Sequence, residues 1–92
     1  MSTSKAYIRV CFRNKAVEFE KVRDVVYNVR FGVHYTEDLK NGDGKRALDF
    51  SEKDLNAMDN CIFFFATKKE IDALKKEGFS LQLFHMFAWK EL

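Results

Sequence analysis

Few side chains in this 92-residue sequence suit chemistry: two cysteines, two histidines and a scatter of acids and bases. Cys11, Cys61, His34 and His85 are residue types that zinc takes, yet none stands within a few residues of another, the spacing at which structural zinc sites grip a chain. The expected reading is two small, buried or half-buried apolar cysteines and two ordinary sheet histidines. Nucleophilic attack by either cysteine needs a histidine and an orienting group beside it, and no spacing points to one. Glu18, Glu20 and Asp24 read as a solvated face rather than a pair of catalytic carboxylates. The Asn41-Gly42-Asp43-Gly44 segment fails as a calcium loop: with Gly44 at the turn glycine, Leu39 and Phe50 fall where the first and last oxygen ligands belong. No glycine-rich segment joins a strand to a helix start, as a phosphate cradle requires. The sequence predicts no enzyme and no bound metal or cofactor.

Positive charge offers a binding chemistry instead. On one face of a first strand Arg9 and Arg13 stand with Tyr7, and on a third expected strand Arg30 and His34 share the face turned from the core. If those strands are neighbours, guanidinium groups lie beside an aromatic ring, which suits phosphates and unstacked bases. Lys68, Lys69, Lys75 and Lys76 cluster on the outer side of a helix, with Asp72 among them, and Lys45 and Arg46 follow the glycine-rich segment. A solvated surface of a small domain accounts for the same charges.

Composition bounds the class. About 90 residues make one domain, here taken as residues 1–92, with the polar residues 1–5 expected to fray and 36–48 to form a mobile loop. Apolar residues are 47% of the chain and aromatic residues 15%, with ten Phe and no Pro, enough to drive folding. The net charge of +2 against 33% charged residues creates no global field that demands nucleic acid. No apolar leader follows Met1 and no apolar run is long enough to cross a bilayer, so a cytoplasmic location and reduced thiols are expected.

The elements that must position these residues follow from periodicity. Ala6, Ile8, Val10 and Phe12 alternate with Tyr7, Arg9, Cys11 and Arg13, a half-buried strand. Val17 and Phe19 suggest a second strand, and Val25, Tyr27, Val29, Phe31, Val33 and Tyr35 a long third one with a bend at Gly32. Ser51 with Asp54 forms a capping box, and Phe50 with Leu55 a hydrophobic staple, opening a helix that runs to about Asp59 and buries Leu55 and Met58. Cys61 to Ala66 reads as a strand buried on both faces. Thr67 with Glu70 starts a second helix, which Gly78 ends, with Leu74 meeting Phe79 in a Schellman stop. Phe79 to Trp89 alternates as a last strand, with Phe79, Leu81, Leu83, His85, Phe87 and Trp89 on one side. The fold class expected is α+β: a two-layer sandwich of a mainly antiparallel sheet of about five strands and two helices, in the order β-β-β-α-β-α-β. Phe63 and Phe65, or their alternates, and Phe84 with Met86 then have no second layer, and need the 36–48 loop, a second copy or another protein to cover them.

An RNA-recognition domain is excluded by this element order and by the absence of the Gly-aromatic-Gly signature around Cys61 to Phe65. In its size, its proline-free Phe- and Lys-rich composition and its lack of an active site, the chain resembles the small single-domain anti-CRISPR proteins of phages. That resemblance implies a non-enzymatic inhibitor that docks on a CRISPR surveillance complex with its guide RNA and occupies the nucleic-acid path. Many such proteins are acidic DNA mimics, and the slight positive charge here points instead to contact with guide RNA or a protein backbone. The alternative expectation is a module for single-stranded RNA or DNA that uses a basic, aromatic sheet face.

Overall fold

Alternation builds the first strand as expected. In the computed structural model, which describes residues 4–35, 48, 52–57 and 59–92, Ile8 and Val10 of strand β1 (Lys5–Cys11) are fully buried while Tyr7 and Arg9 turn the other way. Lys5 does not fray but sits in the ladder opposite Thr67.

The next segment departs from the expected second and third strands. Residues Lys15–Phe31 form one helix, α1, whose buried side chains are Phe19, Val22, Arg23, Val26 and Tyr27. These follow a three-and-four spacing, a helical stripe. Valines and aromatics at alternate positions imitate a strand, but the alternating residues off the stripe, Val17, Val29 and Phe31, are exposed. The charged Lys21–Asp24 stretch lies inside this helix, where Val22 and Arg23 are buried between an exposed Lys21 and a half-buried Asp24. Gly32 adopts φ +69° and ends the helix, its N–H donating to the Asn28 carbonyl at 2.9 Å, so it is a helix stop rather than a strand bend.

A short helix α2 (Glu52–Ala57) precedes strand β2 (Cys61–Thr67). The expected cap at Ser51, the staple at Phe50 and the burial of Leu55 and Met58 lie outside the described residues. So does the loop read as mobile, apart from its last residue: Leu48 is buried, and its N–H donates to the Tyr27 hydroxyl at 2.8 Å. Strand β2 is buried on one face only, through Ile62, Phe64 and Ala66, and Phe63 and Phe65 are exposed.

Helix α3 (Lys68–Lys76) begins and ends as the sequence predicts. The Thr67 hydroxyl accepts from the Glu70 N–H at 3.3 Å while the Glu70 carboxylate accepts from the Thr67 N–H at 2.8 Å, a reciprocal capping box. Gly78 at φ +88° closes a Schellman motif, with the Phe79 N–H on the Leu74 carbonyl and the Gly78 N–H on the Lys75 carbonyl.

The last expected strand is two. Strand β3 (Ser80–His85) turns at Met86 and Phe87 into β4 (Ala88–Glu91), with His85 paired to Ala88. The order is therefore β-α-α-β-α-β-β, with four strands among the described residues, all antiparallel and arranged β2-β1-β3-β4. The α+β class with helices layered on one sheet face is as expected. Ile8, Val10, Ile62, Phe64, Ala66 and Leu81 of the sheet meet Phe19, Val22, Val26 and Leu74 of the helices in one core. Among the described residues no helix is long and apolar enough to cross a membrane.

Candidate binding face

With α1 and α3 packed on one side, the other side of the sheet carries the odd-numbered residues of β1 and whatever register sets beside them. Tyr7 lies opposite Phe65, and Arg9 lies between Phe63 and Gln82. Phe84 is paired with Trp89 across the hairpin. The two-residue turn resets the alternation, so Trp89 shares a face with Phe84 rather than with Leu81 and Leu83, as a single strand would have it.

The result is one connected group of rings. Tyr7 is its hub, with centroid distances of 4.8 Å to Phe65, 5.9 Å to Trp89, 6.3 Å to Phe63 and 6.5 Å to Phe84. Trp89 closes the group at 5.2 Å from Phe84 and 5.6 Å from Phe63. Phe63, Phe65 and Phe84 remain 47%, 58% and 41% exposed. At Phe size that is roughly 300 Å² of ring surface from these three alone, the extent at which an apolar patch on a single chain is commonly functional.

Arg9 is the cation within the group, and it is held. Its guanidinium lies 4.6 Å from the Trp89 ring centroid, and its Nε donates to Gln82 Oε1 at 2.7 Å. The Gln82 amide in turn donates to Glu91 at 2.9 Å and to the Ser80 hydroxyl at 3.3 Å, placing a carboxylate beside the guanidinium chain. Cys11 is the next outward residue of β1, its thiol 3.5 Å from Gln82 Oε1, directly across from Cys61. Burial pushes the Cys61 thiol up to about 11, and the neighbouring Cys11 thiol adds to the effect.

The other predicted contact residues are not brought to this face. Arg30 and His34 were expected on a sheet strand; Arg30 instead ends α1 and His34 follows it, in the helical layer. Arg30 forms an ion pair with the buried Glu70 through Nε, a second bond from its terminal nitrogen at 3.3 Å, and donates to the Phe65 carbonyl of edge strand β2 at 2.9 Å. It is structural, joining α1 to α3 and covering part of a sheet edge. His34 meets Asp24 at 3.2 Å, and Asp24 also accepts from the Tyr35 N–H. Arg13 follows β1 in the turn to α1, where its N–H donates to Glu18, and it borders a cleft of about 310 Å³ with Lys21 and Glu77. Lys68, Lys69, Lys75 and Lys76 are exposed on α3. Lys45 and Arg46 lie outside the described residues.

Of the predicted site, then, Tyr7 and Arg9 stand together on the open face. Phe63, Phe65 and Phe84 were legible as surplus apolar residues, and Trp89, Gln82 and Glu91 were not, because a turn without Gly, Asn or Asp hid the hairpin. Among the described residues no group of three or more His, Cys, Asp or Glu comes together that could hold a metal ion. No protein-family model matches the chain, and neither a curated protein nor a solved structure matches it significantly.

Proposed function

We propose that the chain is a non-enzymatic binding protein that docks on a larger protein or nucleoprotein complex through the open face of its sheet. The observation that carries this reading is the connected group of Tyr7, Phe63, Phe65, Phe84 and Trp89, its three Phe exposed and its Tyr and Trp half-buried, held in place by an antiparallel sheet. Burying roughly 300 Å² of apolar surface at ~25 cal/mol per Å² is worth about 7 kcal/mol before the costs of association. Rigid aromatic anchors of this kind dominate protein interfaces. The resemblance to anti-CRISPR proteins makes a CRISPR surveillance complex the first target to try, with inhibition by occupancy as the mechanism.

A second reading, a single-stranded nucleic-acid binder, is favoured by rings on neighbouring strands beside Arg9, an arrangement on which bases stack. Charge weighs against it. Arg30 is committed to Glu70, Arg9 is engaged by Gln82, and the α3 lysines stand on the helical layer, so few cations among the described residues border the rings to meet phosphates.

The test is capture of partners by the tagged chain from a bacterial lysate, with and without nuclease, in parallel with a Phe65→Asp variant whose folding is checked by circular dichroism. The expected result is a stoichiometric complex that withstands nuclease and is lost on Phe65→Asp while the variant stays folded. Heterogeneous, nuclease-sensitive material whose binding falls steeply with salt would replace this reading with the second.

A further inference from the structure

Two thiols fifty positions apart in the sequence face each other in the fold: Cys11 of β1 is the register partner of Cys61 of β2. The kind of pairing matters. One step further along, the Phe12 N–H donates to the Asn60 carbonyl at 2.6 Å, and ladder bonding alternates, so Cys11 and Cys61 form a non-hydrogen-bonded pair. The Phe65 carbonyl agrees: it belongs to the same alternate set and points away from β1, where Arg30 reaches it. Non-hydrogen-bonded partners have Cα atoms about 4.5 Å apart and side chains drawn together. A disulfide spans Cα separations of about 4.4–6.8 Å. Both cysteines lie on the face that the helices leave open, and both are free and half-buried, so a small reagent can reach them.

We propose that Cys11 and Cys61 are a cross-strand dithiol that exchanges with low-molecular-weight disulfides to close a Cys11–Cys61 bond between β1 and β2. One protein thiol, deprotonated, attacks a sulfur of the small disulfide and displaces one small thiolate, leaving a mixed disulfide on the protein. The opposite cysteine, as thiolate, attacks the protein-side sulfur and displaces the second small thiolate. The protein gives up two protons and two electrons, and the small disulfide leaves as two thiols. The raised Cys61 thiol makes the exchange slow near neutrality and faster as pH rises, since only the thiolate attacks.

The test uses the reduced 92-residue chain with glutathione disulfide, quenched by alkylation and read by mass spectrometry. The expected product is a monomer that takes up no alkylating groups, yields one cross-linked peptide joining Cys11 to Cys61, keeps its circular dichroism spectrum and unfolds at higher urea than the reduced form. Cys11→Ser and Cys61→Ser are expected to stop at the mixed disulfide. Two thiols that stay open to alkylation, a wild-type chain that stops at the mixed disulfide, or a bond between chains would each overturn the proposal.

Discussion

Arg30 and Arg9 show how position in the fold decides what a cation does. Both are expected from the sequence to meet a partner, yet Arg30 faces Glu70, which is buried and already accepts from its own helix cap. Removing one member of a buried pair leaves the other charge uncompensated, at a cost of about 3–5 kcal/mol. Arg30 is partly exposed, so water softens that penalty; Arg30→Ala is expected to lower stability by about 2–3 kcal/mol in urea unfolding. Arg9→Ala, on the open face, is expected to cost about 1 kcal/mol or less and to weaken partner capture instead. Equal stability losses for the two would contradict this division. Cys61 makes a separate prediction in pH. Its thiol is raised from an ordinary value of 9.0 to about 11, by burial first and then by Cys11, with Arg9 opposing and Asp59 adding. The native state therefore holds a proton that the unfolded chain has lost between those values, and stability must fall as pH rises from about 9 to 11. Tyrosines and lysines titrate there too, so the measurement is the difference between the reduced protein and Cys61→Ser, with the variant expected to show the shallower fall.

The β3–β4 hairpin turns on Met86 and Phe87, both at positive φ (52° and 63°) and 78% and 94% exposed. Two-residue hairpin turns of this shape favour Asn-Gly, because each central residue must be left-handed. A side chain with a Cβ in that region costs about 1–3 kcal/mol, and here the two large apolar chains recover nothing by burial. Met86→Asn combined with Phe87→Gly is expected to stabilise the fold by about 1–2 kcal/mol, an increase of several degrees in Tm. If the tip belongs to the docking surface, the same variant captures less partner; an unchanged Tm would show that the turn stores no strain. This turn also explains where the sequence was readable. Helix α3 was legible at both ends because Thr67, Glu70 and Gly78 act on their own neighbours. Strand β1 was legible because Ile8 and Val10 alternate without competition. Helix α1 was not, since Val25, Tyr27, Val29 and Phe31 satisfy a strand period while Phe19, Val22, Val26 and Tyr27 satisfy a helical one, and only packing against the sheet selects between them. Tyr7 and Arg9 were readable as one face; Phe63, Phe84 and Trp89 beside them depend on register between distant strands, which no local signal carries.

Strand order gives the cysteine pair its weight. Among the described strands β2 lies at the sheet edge and pairs with β1 alone, so the β1–β2 ladder holds Phe63 and Phe65 against Tyr7. A Cys11–Cys61 bond would join those strands one row from Arg9 and Phe63. It would also close a loop of about 50 residues containing α1 and α2, and loop-closure entropy for that length is worth about 4 kcal/mol at 25 °C. Because the constraint acts on the unfolded chain, the oxidised protein is expected to gain most of that figure with little change in its folded spectrum, and its urea unfolding slope should fall as the linked unfolded state exposes less surface. A gain near 4 kcal/mol would mean that the native strands already hold the sulfurs in bonding geometry. A gain under about 1 kcal/mol would mean that closing the bond distorts the ladder, and partner capture should then fall on oxidation, because the rings of β2 would no longer sit in register with Tyr7.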